Sequence, residues 1–211
     1  MRMRKKPNLP ERMDACAEYQ IKNPEDFRGK WSEKCFPGAP LHVEVGCGKG
    51  RFTAGTAEAI PDALLVAVEI VPDAMVMAME AARAKELKNV RYIHGDAKML
   101  EQFFAEGEVE RIYLNFSDPW PHNRHAKRRL TYPTFLESYK KLLVPGGQIH
   151  FKTDNSPLFE YSVRQFEKCG YALSEVTRDL HANGPVGIMT DYEIKFSSQG
   201  YPINRCVATK I

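Results

Sequence analysis

Five short runs rich in Val, Ile and Leu, at residues 41–45, 64–70, 90–94, 111–116 and 148–152, recur along the chain with helix-period segments between them. The alternation of such runs with helices is the βαβα rhythm of a parallel sheet. The spacing predicts a helix over 72–87 that opens on Pro72 and turns Met75, Val76, Met79 and Ala82 to one face. A second helix follows Pro133, carries Phe135, Leu136, Tyr139, Leu142 and Leu143, and is expected to stop at Pro145-Gly146-Gly147. A third is expected over 156–168. Beyond it the pattern changes: 172–180, 192–198 and 203–211 read as strands or extended segments, two of them closing the sheet as an antiparallel edge pair. A loop rich in Gly, Asn and Pro, from His181 to Gly187, separates the first two. At 211 residues the expectation is one α/β domain over 1–211, a mostly parallel sheet with helices on both faces.

Composition narrows the class. With 43% hydrophobic and 27% charged residues, the chain has the balance of a globular enzyme and not of a disordered or fibrous protein. No run approaches ~18 apolar residues and the basic start lacks an apolar h-region, so the expected place is the cytoplasm, with no membrane partner. Cys16, Cys35, Cys47, Cys169 and Cys206 form no CxxC pair, which argues against a zinc site or a disulfide framework and for reduced thiols and no metal. The net charge of +3 is too small to imply nucleic-acid binding by itself, but the charge is unevenly placed. Arg2, Arg4, Lys5, Lys6 and Arg12 make residues 1–12 a basic tail, expected to be flexible. A second run, Arg124, Lys127, Arg128 and Arg129, has no acid between Asp118 and Glu137. Both are candidate phosphate contacts.

The segment Val43-Glu44-Val45-Gly46-Cys47-Gly48-Lys49-Gly50-Arg51 sets a glycine-rich turn between the first strand and the next helix. In open α/β sheets ligands lie beyond such carboxyl ends, and glycines let the backbone approach them closely. The second strand leads to Glu69, placed to accept from ribose hydroxyls, and the third to Gly95-Asp96-Ala97. Two details favour S-adenosylmethionine over a dinucleotide. The G-x-G-x-G spacing lacks the interval that seats a pyrophosphate on the helix N-terminus. Glu44, Glu69 and Asp96 would also line the site with negative charge, which repels a pyrophosphate and suits a sulfonium and an ammonium. Competing explanations are a structural turn for the glycines, a salt bridge to a nearby Lys or Arg for Glu44, and helix N-capping for Asp96, which one side chain can combine with ligand binding.

At the end of the fourth strand comes Asn115-Phe116-Ser117-Asp118-Pro119-Trp120-Pro121-His122-Asn123-Arg124-His125-Ala126-Lys127-Arg128-Arg129. Asp118 stands where the sheet delivers groups to a reacting atom, prolines stiffen the turn, and Trp120 can stack on a base or wall a pocket. The basic run supplies phosphate ligands, with a solvated charged loop as its competing explanation.

Through E-V-G-C-G-K-G, V-E-I, G-D-A, the long fourth-strand motif, F-K-T-D-N and T-D-Y-E, residues 44–193 resemble the bacterial tRNA (guanine-N7-)-methyltransferase family. The fourth-strand motif is specific, whereas the glycine turn and Gly-Asp-Ala occur in many methyltransferases. The resemblance implies a Rossmann-like class I methyltransferase fold with a seven-stranded sheet. It implies S-adenosylmethionine as cofactor, leaving as S-adenosylhomocysteine, and tRNA as partner, methylated at guanine 46 of the variable loop. Glu44, Gly46, Gly48, Gly50, Glu69, Asp96 and Asp118 would bind the cofactor, with Asp118 also catalytic. His122, Asp154, Thr190, Asp191, Tyr192 and Glu193 would hold the substrate, while Arg124, His125, Lys127, Arg128 and Arg129 would contact RNA. His122 departs from the lysine usual in the family and removes a fixed positive charge there.

The chemistry agrees. Guanine N7 carries a free lone pair and needs no deprotonation before attacking a methyl sulfonium, so the protein need only align reactants and manage charge. A carboxylate from Asp118 or Asp154 would stabilise the cation formed on the purine and accept from guanine N1–H and the exocyclic amine; Asp154 and Glu193, holding that edge, would present N7. Strand-end capping competes for Asp154, and a salt bridge to Lys195 for Glu193. Other functions to weigh are amino-methylation of another base, an NAD-dependent oxidoreductase, disfavoured by the glycine spacing, and a non-catalytic RNA-binding module. A monomer and a homodimer are both compatible with the sequence.

Overall fold

The computed structural model describes residues 5–211. The chain forms two compact units, Met1–Phe104 and Ala105–Ile211. In the first, α1 (Leu9–Ala15) and α2 (Trp31–Cys35) precede β1 (Leu41–Val45), α3 (Arg51–Ala59), β2 (Leu64–Glu69), α4 (Pro72–Ala84), β3 (Val90–His94) and α5 (Leu100–Phe103). β2 pairs in parallel with β1 on one side and β3 on the other. Every residue of β1 and β2 is buried, as strands covered on both faces require. Pro72 takes the start of α4, where a missing N–H costs nothing, and Met75, Val76, Met79 and Ala82 are all buried. The helix stops at Ala84, short of the expected 87, because Glu86 adopts φ 53°.

The flexible tail expected over 1–12 is corrected in part. Residues from Leu9 onward are helical, and Arg12 holds Glu80 of α4 with two 2.6 Å bonds from Nε and Nη2. The Lys6 backbone N–H donates to Asp73. Arg2 and Arg4 lie outside the described residues.

The second unit contains β4 (Val109–Asn115), α6 (Pro133–Leu142), β5 (Leu143–Thr153), α7 (Ser156–Lys168), β6 (Tyr171–Thr177), α8 (Asp191–Ser197) and β7 (Asn204–Lys210). β4 runs parallel to β5, and β7 runs antiparallel to both β5 and β6. The seven strands thus form a mostly parallel sheet whose C-terminal edge is antiparallel. α7 seats on β5 through rings: Phe151 lies 6.2 Å from Phe159 and 6.1 Å from Phe166.

Two expectations fail here. α6 ends at Leu142, and Pro145-Gly146-Gly147 lies inside β5 where its register with β4 shifts. A Cβ at residue 147 would come within 2.9 Å of the Val144 carbonyl and 3.1 Å of that of Glu110, so the irregularity needs glycine. The segment 192–198, expected as extended, is helical up to Ser197. The Thr190 hydroxyl accepts from the Glu193 N–H at 2.9 Å and the Glu193 carboxylate accepts from the Thr190 N–H at 3.1 Å. That capping box starts α8.

Candidate active site

In the first unit the strands end in turns that carry the expected acids. The Gly46 N–H donates to the Val68 carbonyl at 2.8 Å and the Gly95 N–H to that of Glu69 at 3.0 Å. Gly46, Gly48 and Gly50 all have positive φ. At Gly50 a second constraint applies: a Cβ would lie 2.5 Å from that of Ala78, so α3 and α4 meet at a point that admits no side chain. Glu69 sets the turn from the other side. Its Oε2 accepts from the Gly48 N–H at 2.8 Å and its Oε1 from the Val71 N–H at 2.9 Å.

Glu44 is 1% exposed, and its Oε2 accepts from the Thr53 hydroxyl at 2.5 Å. Burial first, then the charges of Glu44 and Glu69, push the Cys47 thiol between them well above its ordinary range. Asp96 caps the following 3-10 turn by accepting from the Lys98 N–H at 2.9 Å, the competing role foreseen for it. Its other oxygen is outside that bond. Next to these acids the apolar side chains of Ile70, Val71 and Met99 are exposed. Carboxylates beside exposed apolar surface are what a nucleoside with a cationic tail requires, and the residues present fit S-adenosylmethionine.

In the second unit Asp118 is exposed, on a turn held from both sides. The Phe116 N–H donates to the Lys152 carbonyl at 2.9 Å. Phe116 and Trp120 adopt φ of 53° and 42°, uncommon for bulky residues and a sign of stored backbone strain. Arg129 opposes that strain. Its Nε donates to the Pro119 carbonyl at 3.0 Å and more weakly to that of Trp120 at 3.3 Å, while Nη2 donates to Trp120 at 3.0 Å. The guanidinium also lies 4.4 Å from the Tyr161 ring centre. Arg129 is 9% exposed, and its Nε and Nη2 face the chain's own carbonyls, a structural task beside the phosphate contact expected of it.

Asn123–Arg128 forms a 3-10 turn with Arg124, Lys127 and Arg128 exposed, and Arg128 lies 4.8 Å over the Trp120 ring. His125 packs edge-on between Trp120, at 5.8 Å, and the exposed His122, at 6.0 Å.

Tyr192, in α8, feels the charges of both Asp118 and Asp154. Burial, then the negative charges of Asp154 and Asp118, hold the Tyr192 phenol above its ordinary value. The Tyr192 ring lies 5.3 Å from Phe116 and stacks on Phe196 at 4.2 Å. Asp154 is not the cap of α7: Asn155 is, accepting from the Leu158 N–H at 2.8 Å. Glu193 does not join this group. It is 0% exposed, bridged to Lys152 at 2.6 Å and to His181 at 2.9 Å, not to Lys195, whose Nζ lies over Phe196. Lys152 and His181 were missed by sequence reasoning, although Lys152 stands inside F-K-T-D-N. Among the described residues no group of three or more His, Cys, Asp or Glu suits a metal ion, and the five cysteines are free. No helix among them is long and apolar enough to cross a membrane.

Solved structures share the fold at low identity. The 16S rRNA methyltransferase KamB superposes with TM-score 0.66 at 17% identity, over 86% of this chain and 92% of that one. An antibiotic-related methyltransferase gives 0.63 at 13%, over 90% and 98%. A family model described as "Putative methyltransferase" matches residues 38–206. The tRNA (guanine-N(7)-)-methyltransferase of Geobacillus sp. (strain WCH70) is 49% identical over 98% of this chain and 94% of its own length. That of Listeria innocua is 47% identical over 99% and 98%. With close to half of all positions shared across nearly the full length of both proteins, the chain belongs to the tRNA (guanine-N(7)-)-methyltransferase family.

Proposed function

We propose that this chain, working as one methyltransferase domain in the cytoplasm, transfers the methyl group of S-adenosylmethionine to N7 of a guanine in tRNA. Family membership supports the reaction. The observation that carries the base-side reading is the placement of Tyr192: its ring lies 5.3 Å from that of Phe116, two residues before Asp118, and its neighbour Glu193 is bridged to Lys152, two residues before Asp154.

Glu69 and Asp96 would hold the nucleoside of the cofactor through lone pairs left over from their backbone bonds, with Ile70 and Met99 against the base. Glu44, too deep to reach far, adds negative potential near the turn of Gly46, Gly48 and Gly50. When bound, S-adenosylmethionine supplies a methyl sulfonium electrophile. On the base side, Tyr192, backed by Phe116 and Phe196, offers a ring face for stacking guanine. Asp118 and Asp154 accept from guanine N1–H and the exocyclic amine, which turns N7 outward for attack. Their charge also stabilises the cation that the purine becomes, without any proton having to leave before the attack. Thr190 and Asp191 belong to this side through the start of α8. Arg124, Lys127 and Arg128, with His122 and His125, take the backbone phosphates.

The test is incubation of unmodified tRNA transcript with methyl-labelled cofactor, followed by chain scission at N7-methylguanosine. Label released at one guanine supports the proposal. Label on an exocyclic amine, or no transfer by protein that binds S-adenosylhomocysteine, overturns it.

A further inference from the structure

We infer that Lys152, Glu193 and His181 are positioning residues for the base side of the site, and that Glu193 does this without touching guanine. The role rests on the guanine-N7 reading proposed above. The Glu193 side chain has no exposed surface, and both its oxygens are engaged: Oε1 with His181 Nε2 at 2.9 Å, Oε2 with Lys152 Nζ at 2.6 Å and the Thr190 N–H at 3.1 Å. A carboxylate so enclosed has no face left for a base.

The hydrogen positions of the set follow from one contact. The Val186 N–H donates to His181 Nδ1 at 3.2 Å, so that nitrogen must be the bare acceptor and the ring proton resides on Nε2, donated to Glu193. The set pairs the Lys152 ammonium with the buried Glu193 carboxylate. Between Thr177 and Asp191 the chain has no helix or strand. This stretch is fastened inward by the same three residues: the Ile188 carbonyl accepts from Lys152 Nζ at 3.1 Å, Val186 is tied to His181, and Thr190 to Glu193. Lys152 stands in β5 two residues before Asp154, and Glu193 directly follows Tyr192. The ion pair thus joins the strand that carries one base-side carboxylate to the helix that carries the stacking ring.

Lys152→Met and Glu193→Gln, alone and combined, test this, together with His181→Ala and His181→Gln, the latter keeping a donor toward Glu193. The readouts are amide hydrogen exchange over residues 178–196, kcat and KM with tRNA, and the Kd of S-adenosylhomocysteine. Each of Lys152→Met, Glu193→Gln and His181→Ala should speed exchange over 178–196 at least roughly tenfold and raise the KM for tRNA, with S-adenosylhomocysteine binding unchanged. The combined Lys152→Met/Glu193→Gln protein, which strands neither charge, should regain much of the loss, and His181→Gln should be milder than His181→Ala. Loss of turnover in Glu193→Gln with unaltered exchange would make Glu193 a substrate ligand and overturn the inference. A parent enzyme that forms no N7-methylguanosine, with exchange responding as expected, would instead overturn the reaction and with it the role.

Discussion

Replacing Arg129 separates a scaffold residue from a phosphate ligand within one basic run. Its guanidinium makes two well-formed bonds, Nε to Pro119 and Nη2 to Trp120, and lies on the Tyr161 ring. Charge-assisted bonds to carbonyls contribute about 1.5–3 kcal/mol each and a partly desolvated cation–π contact about 1 kcal/mol. Truncation also frees the chain from desolvating the guanidinium and lets water reach the turn, so a net loss of about 3 kcal/mol is the reasonable figure for Arg129→Ala. For a chain of this size that corresponds to a fall in Tm of roughly 6–12 °C. Released from Arg129, the strained Trp120 backbone relaxes and carries Asp118 with it; a displacement near 1 Å costs about a hundredfold in turnover. Arg129→Lys keeps the charge but not the fork and should fall between. Thermal unfolding, single-turnover methylation and the salt dependence of tRNA binding are to be measured on one preparation. An Arg129→Ala protein with unchanged Tm and turnover, and a log-log salt slope reduced by about 1, would be a phosphate-contact mutant and would refute the scaffold role.

Arg124→Ala with Lys127→Ala, both exposed, should leave Tm alone and reduce the log-log salt slope of tRNA binding by up to about 2; an unchanged slope places the RNA elsewhere. Asp118→Asn keeps the shape of an exposed side chain and should lower single-turnover methylation by about a hundredfold or more at unchanged Tm; near-normal turnover removes Asp118 from the chemistry. Burial pushes the Cys206 thiol up to about 12, so the folded state keeps it neutral while the unfolded chain ionises from about pH 8.5. That contribution is complete below the unfolded value and is lost as pH rises toward the folded one. Urea midpoints at pH 7 and 10.5 should therefore converge in Cys206→Ala relative to the parent protein.

The parallel part of the sheet was legible because β1 and β3 are short, mostly apolar runs, each carrying two polar residues and closed by Gly46 and by Gly95-Asp96, and their bounds agree with expectation. The C-terminal region was not. Tyr192, Ile194 and Phe196 alternate with Glu193, Lys195 and Ser197, which gives the period of a strand, yet Thr190-x-x-Glu193 is also a capping box and Tyr192 and Phe196 are an i, i+4 pair. Local hydrogen bonding decided against the alternation. In the basic run, composition cannot distinguish Arg129 from Arg128. The difference arises only where the 3-10 turn ends and the chain bends inward, burying one guanidinium and leaving the other over Trp120 at the surface. Glu193 is the same kind of case: its motif places it among substrate groups, and only its closure by Lys152 and His181 shows what its charge faces.

Glu69 has a task in the fold beside the ligand contact expected of it. A ribose hydroxyl can be bound by many polar side chains, but the two backbone donors that Glu69 receives, from Gly48 and Val71, demand an acceptor on each side-chain oxygen. Glutamine offers one oxygen and turns an NH2 group toward the other donor, so Glu69→Gln leaves an N–H facing N–H at a position 7% exposed. An unsatisfied buried donor costs about 1–3 kcal/mol. S-adenosylhomocysteine binding should accordingly weaken by roughly ten- to a hundredfold, and the Gly48 amide should exchange faster even in the absence of ligand. Equal protection of that amide in both proteins would mean that the glycine turn holds its shape without the carboxylate, leaving Glu69 as a ligand group alone.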